Sequence, residues 1–256
     1  MHRPTILKKA GMWIVFSLLL VSTALAHSNG QSASPRAQIR RPRMVKAFIV
    51  DDRLSALRRE ADIQSEVIQR LRPGRPVYIL QAKNGGEGRP TFYRVAVTRR
   101  TRGWIHESAV VVPGRAGEDE RVMKLIADTR DGLERIALCR FFIERLGRSP
   151  LVPQAMFVMA EESDRAATSL TRRARKRLAT VNEEENGVGV RDYYLSDAGL
   201  DRYSKLRVKF DFNQATNQYI YDGQAYRDII KRFPDSDEAV RARVRLARME
   251  KRLAQR

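Results

Sequence analysis

Hydrophobic positions fall into four successive patterns along this chain. The first is an unbroken apolar run, Gly11–Val21 (GMWIVFSLLLV), with Arg3, Lys8 and Lys9 before it and Ala24-Leu25-Ala26 after it. A positive start, a short apolar centre and small residues at the end predict a cleavable export signal over residues 1–26. The run falls short of the roughly 20 apolar residues of a spanning helix. Left uncleaved, it would act as a membrane anchor. Residues 27–43 (HSNGQSASPRAQIRRPR) are small, polar and basic, and predict a leader with nothing to bury.

The second pattern covers residues 44–112, where short apolar runs alternate with turn signals. Val45–Val50 (VKAFIV), Val67-Ile68, Val77–Leu80 (VYIL), Phe92–Val97 (FYRVAV), Gly103-Trp104-Ile105 and Ala109–Val112 read as strands. Pro73-Gly74, Asn84–Gly88 and Arg99–Arg102 read as turns between them. Such spacing predicts a small barrel or sandwich.

From Gly117 the period becomes helical. Val122, Leu125, Ile126, Leu133, Ile136, Ala137 and Phe141 keep largely to one face, predicting a helix that starts at Glu118-Asp119-Glu120 and ends at Gly147. Pro153 allows a second helix, with Ala155, Met156, Met159, Ala160, Ala166, Ala167 and Leu170 as its apolar positions, until Asn182–Gly189 breaks it. Alternation then returns. Val208, Phe210 and Phe212, then Tyr219 and Tyr221, predict a β-hairpin near 208–221. Gln224–Phe233 and the segment from Ser236 onward are helical again, Ser236 being a good N-cap.

Residues 44–112 resemble a bacterial SH3 domain of the extracellular kind. The resemblance rests on Leu54-Ser55-Ala56-Leu57-Arg58, Val67-Ile68, Leu71-Arg72-Pro73-Gly74, Val77-Tyr78-Ile79-Leu80, Tyr93-Arg94-Val95 and Gly103-Trp104-Ile105, in that order. Where family members usually carry Ser-Gly-Pro, this chain has Arg59-Glu60-Ala61-Asp62. The resemblance implies an SH3-like barrel that binds cell-wall material. A second resemblance lies in Tyr226–Ser236 followed by Ala239, which is similar to the tetratricopeptide repeat of bacterial envelope proteins. Phe142, Leu146, Pro150 and Ala155 echo Tyr226, Ile230, Pro234 and Ala239 at an offset of 84 residues. That offset far exceeds the repeat period of about 34, so the two units are not adjacent repeats. A β-hairpin insert accounts for the gap.

Charge redirects this reading. The chain carries +19, and loss of residues 1–26 leaves +16, from 46 basic side chains against 30 acidic ones. Such a surface attracts polyanions, or serves only solubility. Only 7% of residues are aromatic, which argues against a stacking platform for nucleic acid. For an exported chain the available polyanions are wall polymers, lipopolysaccharide and anionic membrane surfaces. Two basic groups stand out. The first sets Tyr93 and Trp104 among Arg58, Arg59, Arg99, Arg100 and Arg102 as a candidate ligand face, although the family resemblance implies a core position for Trp104 itself. The second, Arg172–Arg177 with Arg241, Arg243, Arg245 and Arg248, reads by default as solvated helix faces.

The residues of catalysis are sparse. Cys139 is the single cysteine, so no internal disulfide forms, and its apolar helical setting predicts a buried thiol. Of His2, His27 and His106, only His106 falls in a folded segment, which excludes a two-histidine zinc site. Glu161-Glu162 reads as part of a solvated helix face, and Glu183-Glu184-Glu185 as part of a loop. The sequence therefore predicts an α+β protein without cofactor or metal: a signal peptide (1–26), a basic leader (27–43), an SH3-like barrel (44–114) and a helical tetratricopeptide-like region with a β-hairpin (115–256). The expected function is that of a periplasmic or extracellular, non-enzymatic envelope protein whose partners are a cell-wall polymer or an envelope protein. A pure assembly scaffold and a carboxylate-dependent wall hydrolase are the alternatives.

Overall fold

A computed structural model of the protein describes residues 44–86, 90–178 and 199–254. The segments expected to be an export signal and a leader, and the Glu183–Glu185 cluster, lie outside the described residues. The fold is α+β, an antiparallel seven-stranded sheet followed by helices. The strands are β1 Val45–Ile49, β2 Ala56–Arg58, β3 Val67–Arg70, β4 Pro76–Lys83, β5 Phe92–Ala96, β6 Arg102–His106 and β7 Val110–Val111, in the spatial order β3-β2-β6-β5-β4-β1-β7. One apolar cluster runs across this sheet from Leu57 on β2 to Val110 on β7, with Ala47, Ile49, Val77, Val95 and Ile105 between. Gly74 enters its turn at φ +80°, a backbone region open to glycine without strain.

Strand β1 is buried on both sides. Ala47 and Ile49 face the sheet's own cluster, whereas Phe48 and the following Val50 join the core of the helices. Val110 and Val111 divide in the same way. A strand covered on both faces reads as a continuous apolar run, which is why VKAFIV lacks alternation. Phe48 sits at the centre of this seam. Its ring meets Phe141 edge-on, with centroids 6.0 Å apart, and the Arg145 guanidinium lies 4.6 Å from its centroid. Arg121 adds a polar clamp, donating from Nη1 to the Ser108 carbonyl at 3.0 Å and from Nη2 to the Val110 carbonyl.

The helical part comprises α1 Glu118–Asp128, α2 Gly132–Arg145, α3 Val152–Leu178, α4 Gly199–Lys205, β8 Phe210–Asn213, β9 Gln218–Tyr221, α5 Gln224–Arg232 and α6 Asp237–Ala254. The single helix expected to run from Glu118 to Gly147 is two helices. Asp131 restarts the chain as the N-cap of α2, its carboxylate accepting from the Glu134 N–H at 2.8 Å, while Arg135 donates to the Thr129 carbonyl in the break. The apolar pattern could not reveal this, because α1 and α2 feed the same core. The long α3 packs against α2, α5, α6 and β9. The two strands β8 and β9 pair antiparallel, and Thr171 of α3 ties them down by accepting from the Tyr219 N–H at 2.9 Å. The small residues Ala155 and Ala239 are fully buried, and Tyr226 stacks edge-on to Phe157 at 5.8 Å.

Glu162 does not lie on a solvated face. It is buried, and Arg135 and Arg165 each reach its Oε1 at 2.5 Å. Glu161 is engaged by Arg245 at 2.8 Å, joining α3 to α6. The sequence pattern counts Glu162 as polar; burial became tolerable because α2 delivers a cation to it.

Because the sheet and helices share Phe48, they are expected to unfold together. After removal of residues 1–26, Trp104 is the sole tryptophan, so its fluorescence reports the sheet while helical circular dichroism reports the rest. The two urea transitions should coincide. Phe48→Ala should shift both by the same amount, corresponding to about 3–5 kcal/mol. Two separated transitions would contradict the shared core.

Candidate functional site

Strand register decides which side chains can act together, since directly paired residues project from the same side of a sheet. Three rows result on the face opposite the sheet's own cluster. The first runs Arg58 on β2, Trp104 on β6, Arg94 on β5 and Gln81 on β4. The second runs Arg102, Ala96, Tyr78 and Lys46, on β6, β5, β4 and β1. The third runs His106, Phe92 and Lys83, on β6, β5 and β4. A register shift between Ile79 and Gln81 takes up one extra residue on β4, which returns Gln81 to the side occupied by Tyr78. The rows thus hold five cations and no carboxylate. Arg94 and Arg102 are exposed, Tyr78 is 39% exposed, and Trp104 is half-buried.

The expected ligand residues separate. Arg58 and Trp104 are direct cross-strand partners, and Arg58 Nη1 donates to the Ser65 carbonyl at 2.6 Å, fixing the guanidinium beside the strand. Trp104 is not core; the interior positions of β6 are Gly103 and Ile105. Arg99 and Arg100 occupy the exposed turn before β6, whose Thr98 hydroxyl accepts from the N–H groups of Arg100 and Thr101. They adjoin Arg102 at one end of the face.

Two residues leave the group. Tyr93 pairs with Ile105, so it points to the opposite side from Trp104, and the expected joint aromatic floor of Tyr93 and Trp104 does not form. Its hydroxyl instead accepts from Arg115 Nη1 at 2.8 Å. Arg59 is a bidentate partner of Glu66, at 2.8 and 3.2 Å. That hydrogen bonding, with the attraction of opposite charges, holds Arg59 above and Glu66 below their ordinary pKa values. Its charge is therefore balanced locally. Sequence reading missed Lys46, Tyr78 and Arg94. Their signal was the alternation within each strand, which becomes a face only when the register is known.

The second basic group is mostly exposed, as solvated helix faces would be, and four of its arginines also fasten neighbouring segments. Arg175 donates to the Thr216 carbonyl, Arg243 to the Pro234 carbonyl, and Arg245 to Glu161. Arg241 pairs with Glu238 and stacks 4.3 Å from the Phe157 centroid.

Among the described residues, the single histidine and the single cysteine are His106 and Cys139. The His106 Nδ1 accepts from the Ser108 N–H at 3.1 Å, and its ring lies edge-on to Phe92. Cys139 is fully buried, and desolvation pushes its thiol up to about 12. Among the described residues, no group of three or more histidine, cysteine, aspartate or glutamate side chains could hold a metal ion, and no helix is long and apolar enough to cross a membrane. What the sheet face can do chemically is attract an extended anion and hold it by guanidinium hydrogen bonds and ring contacts. Comparison with family models, curated proteins and solved structures finds no match to the chain.

Two measurements check this geometry. A Cβ at Gly103 would come 2.7 Å from the Arg58 carbonyl oxygen and 2.8 Å from Leu57 Cγ. Gly103→Ala should therefore push β2 off β6, lowering stability by about 1–3 kcal/mol and loosening the Arg58–Trp104 pair. In the native protein Cys139 should resist a thiol reagent from neutral pH to well above 9, and react once urea unfolds the chain. Rapid native labelling would show the thiol to be accessible.

Proposed function

We propose that this chain is an exported, non-enzymatic envelope protein whose SH3-like sheet binds an anionic cell-wall polymer and whose tetratricopeptide-like helices dock a protein. One observation carries the reading: Arg58, Arg94, Arg102 and Lys46 share a face with Trp104 and Tyr78, and no carboxylate interrupts the paired rows. Unopposed cations at strand spacing suit a repeating polyanion, and the two rings add contact with its apolar surfaces. The resemblance to extracellular bacterial SH3 domains and the export signal point to the wall as the source of that polymer.

A second reading, an assembly scaffold with no wall binding, is favoured by α6. There Val240 and Val244, one helical turn apart, are 57% and 51% exposed. Such a stripe suits a neighbouring helix.

Pelleting the protein lacking residues 1–26 with purified peptidoglycan, across a salt series, separates these readings. The wall reading expects co-sedimentation that persists at physiological salt, where the Debye length is about 8 Å. Arg94→Glu should weaken it about tenfold, and Tyr78→Ala by a smaller factor. Absence of pelleting at every salt concentration would reject wall binding. Pelleting that disappears at moderate salt and ignores Tyr78→Ala would reduce it to diffuse charge attraction. Recovery of one stoichiometric envelope protein, lost on Val244→Glu, would favour the scaffold.

A further inference from the structure

A cleft of about 670 Å³ opens where the loop after β7 meets the turn between α2 and α3. That volume is in the range of small-ligand sites, about 300–1,000 Å³. Its apolar wall includes Leu146 and Pro150, and three arginines, Arg115, Arg145 and Arg148, line it.

Two of these guanidiniums are held by aromatic side chains before any ligand arrives. Arg115 donates to the Tyr93 hydroxyl at 2.8 Å and lies 5.8 Å from that ring's centroid. Arg145 stacks 4.6 Å from the centroid of Phe48. Arg148 is exposed and enters no hydrogen bond or ion pair among the described residues. The cleft also holds two carboxylates, of which one is paired with a cation. Asp119 accepts from the Ser149 hydroxyl at 2.7 Å, and Glu144 pairs with Arg140 at 2.8 Å. Arg115 also faces Glu118, whose Oε1 lies 3.9 Å from its Nη1 while Arg121 holds the other carboxylate oxygen, Oε2. An arginine oriented in advance loses less freedom on binding, and its planar fork matches a carboxylate or phosphate.

We propose that this cleft binds a small ligand bearing at least two oxyanion groups, carboxylate or phosphate, gripped by Arg115, Arg145 and Arg148. Such a ligand lies between the loop after β7 and the turn that joins α2 to α3. The cleft's lining does not include Arg58, Trp104 or Arg94, although Lys46 of that face lies 5.4 Å from the centroid of the same Phe48 ring that Arg145 covers.

Calorimetric titration of the full chain with pyrophosphate and with citrate tests the proposal. The expected result is one probe bound per chain. Stronger binding of pyrophosphate would identify phosphate as the preferred group, stronger binding of citrate would identify carboxylate, and equal binding would support the shared chemistry. Arg148→Ala should weaken binding about tenfold. Tyr93→Phe, which releases Arg115 without emptying the core, should weaken it severalfold with little change in melting temperature, and Arg115→Lys should do the same. Arg94→Glu should leave it unchanged, which separates this site from the sheet face. Binding of neither probe, or wild-type affinity in both Arg148→Ala and Arg115→Lys, would overturn the proposal. So would uptake of several probe molecules that vanishes at moderate salt.

Discussion

The structure depends on one strand that serves two cores. Residues Ala47 and Ile49 close the cluster of the sheet, while Phe48 and Val50 belong to the helices. Neither part can bury its own apolar surface without β1, so the sheet is not an appendage. Edge contact with Phe141, cover from Arg145 and the clamp from Arg121 all converge on this strand and on β7 beside it. The arrangement also explains a chain without disulfides that still holds a small sheet together. A sheet of this size has little core of its own, and the helices supply the other half.

Arginine plays two roles here, and the net charge of +19 conceals the division. Many guanidiniums are internal fasteners. Arg121 and Arg135 bind carbonyl groups and buried glutamates, Arg140 reaches the Leu206 carbonyl, and Arg245 joins α3 to α6. A planar fork with several donors suits that task, and lysine would not replace it. Other basic side chains stay exposed, on the outer sheet face, in the cleft beside the seam and along the helices. A uniform basic surface would bind any polyanion weakly; cations placed in register with rings, or oriented by rings, can select.

Much of the fold was legible along the chain. Short apolar runs between Gly and Pro turns marked the sheet, the change of period at Gly117 marked the helices, and alternation over Val208–Tyr221 marked the two strands that pair there. The interruption at Asp131 was not legible, because two helices serving one core keep one apolar pattern. The burial of Glu162 was hidden for a different reason. A carboxylate reads as a surface group until a cation from another helix is placed against it, and Arg135 is 27 residues away.

The same division runs through the candidate site. The residue types can be read along the chain: a basic protein with one cysteine, one histidine in a folded segment, and arginines and aromatics gathered in residues 58–104. Period-2 alternation also dictates that Arg94 and Val95 face opposite ways. Which alternating strands are neighbours, and in what register, is set by how the chain folds back on itself. That pairing put Trp104 beside Arg58 and Arg94, and turned Tyr93 away toward Arg115. The physical reason is that a side chain's face within its own strand is a local property, whereas its cross-strand partners depend on hydrogen bonding between segments far apart in the chain.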